Sequence, residues 1–158
     1  MPNAKRTPAG EALSTLIPDL FRLNGLLFTS GDRLVAGLGL TSARWQILGA
    51  IVAAERPQPV AWLARDLGAA RQNVQRIVND LEREGLVAFE TNPHHRRAQL
   101  IVLTAKGRQS FDAAMRLQLP WVNGLADGLS MKDLETVGRV VTVLRGRLES
   151  GQEPDERT

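Results

Sequence analysis

The sequence predicts a mainly helical α+β fold, and three observations support this prediction. Apolar residues recur at helical spacing through most of the 158-residue chain, for example in residues 74–81. Two short runs of strand-forming residues, 86–89 and 98–103, follow that segment directly. Long apolar helical segments precede and follow this helix-and-strand unit. We therefore expect a small α+β lobe carried between helical flanks.

The first helix of the stretch Ala69–Leu103 has two chemically different faces. One face stacks the apolar residues Val74, Ile77, Val78 and Leu81. The other face, about 160° away, carries Gln72, Gln75, Arg76 and Asn79. Amide and guanidinium groups match the donors and acceptors of base edges in the DNA major groove, whereas a merely solvated face usually carries Glu and Lys. The pattern predicts a helix that reads DNA.

A hairpin with a cationic tip follows this helix. Gly85 lies where a left-handed capping glycine would end it. Asn92-Pro93 marks the turn between the two strands, and the turn ends in Arg96 and Arg97. A helix followed by such a hairpin is typical of a winged helix-turn-helix, in which the tip reaches phosphates or the minor groove.

The residues before the DNA-reading helix complete the motif. Thr41 is a suitable N-cap for a helix whose core face includes Trp45. This helix ends before the proline-punctuated connection 56–59. Residues 60–67 then form a short helix, and Gly68 makes the tight turn into the DNA-reading helix.

The flanking helices are more apolar than a winged-helix lobe requires. Residues 13–28 carry a leucine-rich stripe in which Pro18 either lies in the first turn or kinks the helix. Thr104 caps a long helix that Pro120 must bend or interrupt, and Ser130–Asp133 resembles a capping box that opens the last helix. We expect these segments to form a homodimer interface. The alternative is one larger monomeric bundle.

These observations divide the chain into four regions. They are a disordered N-terminal tail at 1–10, a helical dimerisation region at 11–37 and 105–149, a winged helix-turn-helix DNA-binding lobe at 38–104, and a flexible tail at 150–158.

Composition narrows the class of protein further. The formal net charge is +3, with 43% hydrophobic and 23% charged residues, which is typical of a globular protein. The chain contains no cysteine, which excludes disulfides and thiolate metal sites. No apolar run is long enough to span a membrane, and the first residues lack a signal-peptide pattern, so we expect a cytoplasmic protein without a membrane partner.

Catalytic, cofactor and metal motifs are not found in the sequence. There is no P-loop, no G-x-S-x-G and no G-x-G-x-x-G. The two histidines, His94 and His95, are adjacent on the expected hairpin tip and would point in different directions, which does not suit a metal site. We therefore expect no catalytic residues, no cofactor and no metal.

The order of these elements resembles the MarR family of bacterial transcription regulators over residues 11 to 149. The matching segments are Leu40–Leu48, Leu63–Gly68, Val74–Val87, Asn92–Ala98 and Val102–Arg108. The resemblance implies a two-fold symmetric dimer that binds double-stranded DNA at a palindromic operator. It also implies repression of nearby genes and release by a small, commonly aromatic ligand. From the sequence alone, repression and activation both stay open.

Two positions depart from the family pattern. The wing usually carries Asp two residues after the turn proline, where this chain has His95. Because histidine titrates near neutrality, the replacement predicts a pH-sensitive wing contact and a less restrained Arg96. The DNA-reading helix also begins after Ala69-Ala70 instead of the usual Ser or Thr, which removes an N-cap worth ~1 kcal/mol.

Residue roles follow from the faces and from the resemblance. We expect base-edge contacts from Gln72, Asn73, Gln75 and Arg76, with Arg71 and Asn79 at the margins or on phosphates. Arg96 and Arg97 would bind the minor groove or its phosphates. Family pockets lie between the dimerisation helices and the DNA-binding lobe, which places four candidate ligand contacts there: Leu16, Leu20, Trp45 and Trp62. Trp45 also fits a plain core position.

Two other classes of function compete with a ligand-responsive regulator. A winged helix also serves as an architectural or protein-interaction module without a small-molecule effector, and such a protein would show no preferred palindrome. A small enzyme would need a pocket of converging titratable groups, and the sequence offers no such set.

Overall fold

The computed structural model describes residues 5–151 of the chain. In that range the chain forms helices and one small antiparallel sheet. The elements in order are α1 (Pro8–Val35), a 3-10 turn (Ala36–Leu38), α2 (Ser42–Ala53), β1 (Gln58–Pro59), α3 (Val60–Asp66), α4 (Arg71–Arg83), β2 (Val87–Glu90), β3 (Leu100–Leu103), α5 (Ala105–Ala126) and α6 (Met131–Ser150). The mainly helical α+β prediction is confirmed. The predicted tails fall partly at residues 1–4 and 152–158, outside the described range.

Helix α1 begins earlier than the sequence indicated and runs past its internal proline. The predicted disordered tail extended to residue 10, but the helix starts at Pro8, and the Thr7 hydroxyl accepts a hydrogen bond from the Gly10 N–H at 3.1 Å. Proline suits the first helical position because its missing N–H would be unpaired there. Pro18 lies inside the helix, so it does not mark the start. Its ring is exposed, where water can reach the carbonyl left without a partner.

The sheet contains one strand that sequence patterns did not indicate. Strands β2 and β3 form the expected hairpin, with Val87 opposite Leu103 and Glu90 opposite Leu100. The connection around Gln58 and Pro59 forms β1, which pairs with the other edge of β3 and gives the order β1-β3-β2. An edge strand tolerates prolines because its outer side donates no hydrogen bonds. The two prolines around Gln58 therefore concealed the strand.

The core of the DNA-binding lobe lies beneath α4. The apolar face of α4 buries Val74, Val78 and Leu81, each at most 2% exposed, and Ile77 is partly buried against the same cluster. Fully buried partners from the other elements are Leu48, Leu63, Val87 and Ile101. This burial fixes which side of α4 faces outward, as the helical period predicted.

A close contact joins α2 to α1. The Ser42 N–H donates to Asp32 Oδ1 at 2.6 Å, and the Ser42 hydroxyl donates to the Phe28 carbonyl at 2.7 Å. A Cβ at Gly31 would lie 2.4 Å from Ser42 Oγ, so only glycine allows this approach without displacing the serine. The start of α2 is thereby fixed to α1.

The predicted caps form, with one difference of detail. Thr41 accepts from the Arg44 N–H at 3.3 Å, and Thr104 accepts from the Gly107 N–H at 3.0 Å. Ser130 accepts a hydrogen bond from the Asp133 N–H at 3.1 Å. The Asp133 carboxylate accepts a hydrogen bond from the Ser130 hydroxyl at 2.7 Å instead of from a backbone N–H. The aspartate is one methylene shorter than the usual glutamate, which explains the change.

By internal packing the chain divides into two units at Pro120, with Leu119 the last residue of the first unit and Pro120 the first of the second. Helix α5 continues through Pro120, so the proline does not end it. This division reflects internal contacts and does not test the four functional regions, whose boundaries stay predictions. Among residues 5–151 no single helix has the length and hydropathy to cross a membrane. One bent pair, residues 8–38 with 42–53, meets both criteria together.

Candidate nucleic-acid interface

The outward face of α4 presents the side chains that the sequence selected. Arg71, Gln72, Asn73, Arg76 and Asn79 are exposed, and Gln75 is partly buried. One open depression along the helix is lined by Arg71, Gln72, Gln75, Arg76, Asn79, Asp80 and Arg83. Five of the six predicted DNA contacts on α4 therefore share one surface, whereas Asn73 is exposed in the first turn but does not line the depression.

Two of these side chains are already joined. Gln75 Nε2 donates to Asn79 Oδ1 at 2.9 Å, one helical turn apart. The bond leaves Gln75 Oε1 as an acceptor and Asn79 Nδ2 as a donor. Asn79 was expected at the margin of the interface, and this contact joins it to Gln75, one of the expected base-contacting residues.

The other α4 candidates have no internal partners. Within the described part of the chain, the side chains of Arg71, Gln72, Asn73 and Arg76 form no hydrogen bond or ion pair. Ala70, at the N-cap position, gives no side-chain cap, as the sequence predicted. The side-chain donors at this end of α4 are consequently not used inside the described part of the protein.

The wing loop between β2 and β3 is organised by Asn92. Its side chain is 9% exposed, and its Oδ1 accepts from the His94 N–H at 3.0 Å, which forms a tight polar turn. His95, Arg96 and Arg97 are exposed, and over residues 5–151 neither arginine forms an ion pair. The guanidinium groups of Arg96 and Arg97 therefore extend from a loop whose first turn is fixed by Asn92.

The C-terminal end of α4 is held by contacts from other elements. Arg44 of α2 donates both Nη atoms to the Glu84 carboxylate, with the Nη1–Oε2 distance 3.0 Å. Lys106 Nζ donates to the Glu84 carbonyl at 2.7 Å, and the Thr104 hydroxyl donates to the Gly85 carbonyl at 2.6 Å. Lys106 thus links the start of α5 to the C-terminal end of α4. Carbonyls at a helix end lack intrahelical donors, so they accept donors brought near by the fold.

The ion pair shifts the titration of both partners. The bidentate hydrogen bond from Arg44 lowers the pKa of Glu84 below its usual 4.5, aided by the nearby charges of Lys106 and Arg83. The same bond raises the pKa of Arg44 above its usual value. The pair therefore stays charged across the neutral range.

This lowered pKa predicts a difference in acid stability. Glu84 stabilises the fold above its unfolded-state pKa near 4.5, and the contribution is lost as the pH falls through the lower folded-state pKa. We expect wild type to be more stable than Glu84→Gln at pH 7 and the difference to shrink below about pH 4.5. Denaturant unfolding of both proteins between pH 7 and pH 3 measures this. A difference that does not change with pH would contradict the prediction.

The four candidate ligand residues lie in different surroundings. Trp45 is partly buried against the core, which fits its plain structural role. Leu20 is partly buried on α1, and Leu16 is 42% exposed there. Trp62 on α3 is 43% exposed, and the guanidinium carbons of Arg56 and Arg65 lie 6.0 and 5.7 Å from its ring centroid.

The arrangement defines a class of protein. Helices α3 and α4 with the Gly68 turn, at φ 61°, form a helix-turn-helix, and the β2–β3 hairpin is its wing. Among the described residues no group of three or more His, Cys, Asp or Glu side chains could hold a metal ion. This is a winged helix-turn-helix protein of the DNA-binding class.

Comparison with known proteins gives the family. A family model described as MarR family matches residues 38–98. An uncharacterized protein of Mycobacterium tuberculosis is 40% identical over 125 residues, which is 79% of this chain and 86% of that protein. The transcriptional activatory protein BadR of Rhodopseudomonas palustris is 33% identical over 107 residues, covering 65% of this chain and 59% of BadR.

Solved structures share the fold. The transcriptional repressor CouR bound to a 23-mer DNA duplex superposes with a TM-score of 0.74 at 24% identity, over 89% of this chain and 99% of CouR. CouR from Rhodococcus jostii RHA1 bound to p-coumaroyl-CoA gives a TM-score of 0.65 at 22% identity, over 88% of this chain and 92% of that one. At these identities the likeness concerns the fold.

The chain belongs to the MarR family and is a DNA-binding transcriptional regulator with a winged helix-turn-helix. Membership in this family makes it a regulator and not an enzyme.

Proposed function

We propose that this regulator acts as a homodimer on a palindromic operator and represses nearby genes until a small ligand releases it. The observation that carries the proposal is the outward face of α4. Gln72, Asn73 and Arg76 are exposed there without internal partners, and the linked pair Gln75–Asn79 adds one acceptor and one donor. Planar groups of these types discriminate base pairs in the major groove.

Apolar surface supports the homodimer. On α1 the exposed fractions of Phe21 and Leu26 are 74% and 62%, and several neighbouring apolar residues are similarly open. Helix α6 buries none of its residues and exposes Val137 at 57% and Leu148 at 70%. Exposed apolar side chains in such numbers are typical of a subunit interface.

Selection of preferred duplexes from a random DNA pool tests sequence specificity and symmetry together. We expect an inverted repeat whose half-site centres lie about 10 base pairs apart, because two recognition helices of a symmetric dimer enter successive major grooves. A pool without a preferred sequence would instead support the alternative of an architectural module. A preferred but asymmetric site would contradict the dimer.

The wing should contribute affinity without sequence preference. Arg96→Ala or Arg97→Ala is expected to reduce the slope of log affinity against log salt by about 0.9, the value for one lost phosphate contact. Fluorescence anisotropy measures the affinity for one duplex at a series of salt concentrations, and these affinities give the slope. Arg116→Ala is the control, because Arg116 is an exposed arginine of α5 that belongs neither to the wing nor to the outward face of α4. An unchanged slope in both wing variants would exclude the wing from phosphate binding.

A ligand that releases DNA is proposed from the family and from Trp62. CouR has been crystallised with p-coumaroyl-CoA, an anionic aromatic thioester. Two guanidinium groups lie within about 6 Å of the Trp62 ring, which would suit an aromatic ligand that carries negative charge. Leu16, Leu20 and Trp45 are the further candidate contacts. Titration of aromatic acids and their CoA thioesters onto the operator complex would identify a ligand by loss of DNA binding.

Repression is the direction proposed for this regulator. BadR is described as an activatory protein and CouR as a repressor, so both directions occur among its relatives. A reporter behind the selected operator, with and without the regulator, distinguishes them. Lower reporter output in the presence of the regulator supports repression, and higher output would replace it with activation.

A further inference from the structure

We propose that Glu84 is a positioning residue for DNA recognition: with Arg44, Thr104 and Lys106 it forms a clamp that fixes the angle at which α4 meets the major groove. The proposal rests on the proposed function, since it concerns how the same helix discriminates base sequences. None of these four residues lines the DNA-facing depression of α4.

The clamp holds the end of α4 that is remote from its first DNA-reading residues. Consecutive carbonyls at this end accept from α5 and its N-cap: Glu84 O from Lys106 Nζ at 2.7 Å, Gly85 O from Thr104 Oγ1 at 2.6 Å, and Leu86 O from the Thr104 N–H at 3.2 Å. Thr104 Oγ1 also accepts from the Gly107 N–H at 3.0 Å, so its position is fixed from both sides.

Arg44 adds a connection to a third element. Its guanidinium makes a bidentate pair with the Glu84 carboxylate, and Nη1 also donates to the Gly39 carbonyl at 3.1 Å. The Arg44 side chain is only 18% exposed, whereas that of Glu84 is 47% exposed. A bidentate pair restricts orientation as well as distance. Glu84 is thus joined by its side chain to α2 and by its backbone to α5.

The opposite end of α4 lacks comparable hydrogen bonds and is held by packing, with Val74 only 2% exposed. Ala70 provides no side-chain cap, and among the described residues the exposed side chains of Arg71, Gln72 and Asn73 form no hydrogen bond or ion pair. A 13-residue helix is roughly 20 Å long, so a tilt of about 5° at the clamp moves its first turn by about 1.7 Å. Hydrogen bonds to base edges tolerate far less than this. The orientation of the first turn therefore depends on the clamped end together with the packing of Val74.

The experiment compares Glu84→Gln and Arg44→Gln with a matched control. Glu82→Gln removes the same charge two residues away on α4, from an exposed side chain that forms no hydrogen bond or ion pair within the described residues. The measured quantity is the ratio of affinities for the selected operator and for random duplex. We expect this ratio to fall about fivefold or more in both clamp variants, the lower limit for one misaligned bidentate base contact. Glu82→Gln should keep the wild-type ratio.

Three further measurements separate positioning from general stability. The thermal midpoints of the clamp variants should fall only by the small amount expected for a partly exposed ion pair, so that the protein stays folded at the temperature of the binding experiment. The double variant Arg44→Gln/Glu84→Gln should lose no more discrimination than either single variant, because both remove one interaction. Arg44→Lys, which keeps the charge but not the forked geometry, should lose part of it.

Several results would overturn the clamp. A folded Glu84→Gln with the wild-type ratio of operator to random-duplex affinity would do so. A double variant whose loss in this ratio equals the product of the two single losses would also do so. An equal fall in Glu82→Gln would assign the effect to charge alone. If wild type itself shows no sequence preference, the proposed function fails instead, so the two failures are distinguishable.

Discussion

Arg76→Ala is expected to lower the preference for operator over random DNA by roughly 5- to 150-fold, the range of about 1–3 kcal/mol for one bidentate base contact. Arg76 is exposed on α4, lines its DNA-facing depression and has no internal partner among the described residues. Its guanidinium can therefore bind a guanine edge without breaking an existing bond. Equilibrium binding to the selected operator and to a scrambled duplex of equal length measures the ratio.

Arg116→Ala, the control for the wing, also serves here because it removes the same charge from α5. It should leave the ratio unchanged. An equal loss by Arg76→Ala on both duplexes would show that Arg76 binds phosphate and carries no sequence information.

Gly107→Ala is expected to destabilise the DNA-binding lobe by about 1–3 kcal/mol, the usual cost of overpacking a close contact. A Cβ at this position would lie 1.9 Å from the Leu86 carbonyl oxygen and 2.9 Å from Leu103 Cδ2. The nearest atom belongs to the backbone and cannot rotate away, so the start of α5 must move. Thermal unfolding should show a lower midpoint, by roughly 2–4 °C for each kcal/mol in a chain of this size.

Gly49→Ala tests whether the loss comes from the contact or from replacing a helical glycine. Gly49 lies inside α2, and its Cβ would meet only Phe111 at an ordinary 3.5 Å. Alanine there should be neutral or stabilising by up to ~1 kcal/mol, because glycine weakens a helix interior. A destabilised Gly49→Ala, or a Gly107→Ala as stable as wild type, would contradict the steric explanation.

Predictions that depended on local spacing were the most accurate. The two faces of α4, the turns at Gly68 and Gly85 and the caps at Thr41 and Thr104 all involve residues within four positions of each other. Such contacts are fixed by the helical period and by backbone conformations that glycine adopts readily. The pairing of Gln75 with Asn79 has the same spacing and was open to the same reasoning, but the two residues were assigned separate roles.

Predictions that depended on chain ends and prolines were less accurate. Helix α1 starts at Pro8, inside the predicted disordered tail, and it continues through Pro18, for which the sequence left a first-turn position or a kink open. Strand β1 was missed because its pairing partner, β3, lies about forty residues further along the chain. A two-residue edge strand has no period of its own to detect.

The sequence by itself determined that one helix carries amide and guanidinium groups on one side and core residues on the other, and that a cationic hairpin follows it. These properties depend only on the order and spacing of neighbouring side chains. Only the tertiary structure decided how that helix is held. Arg44 and Glu84 are 40 positions apart, and the bonds from Lys106 and Thr104 end on backbone carbonyls, which every residue carries alike. No pattern of side chains can indicate such partners, because the fold alone brings them within hydrogen-bonding distance.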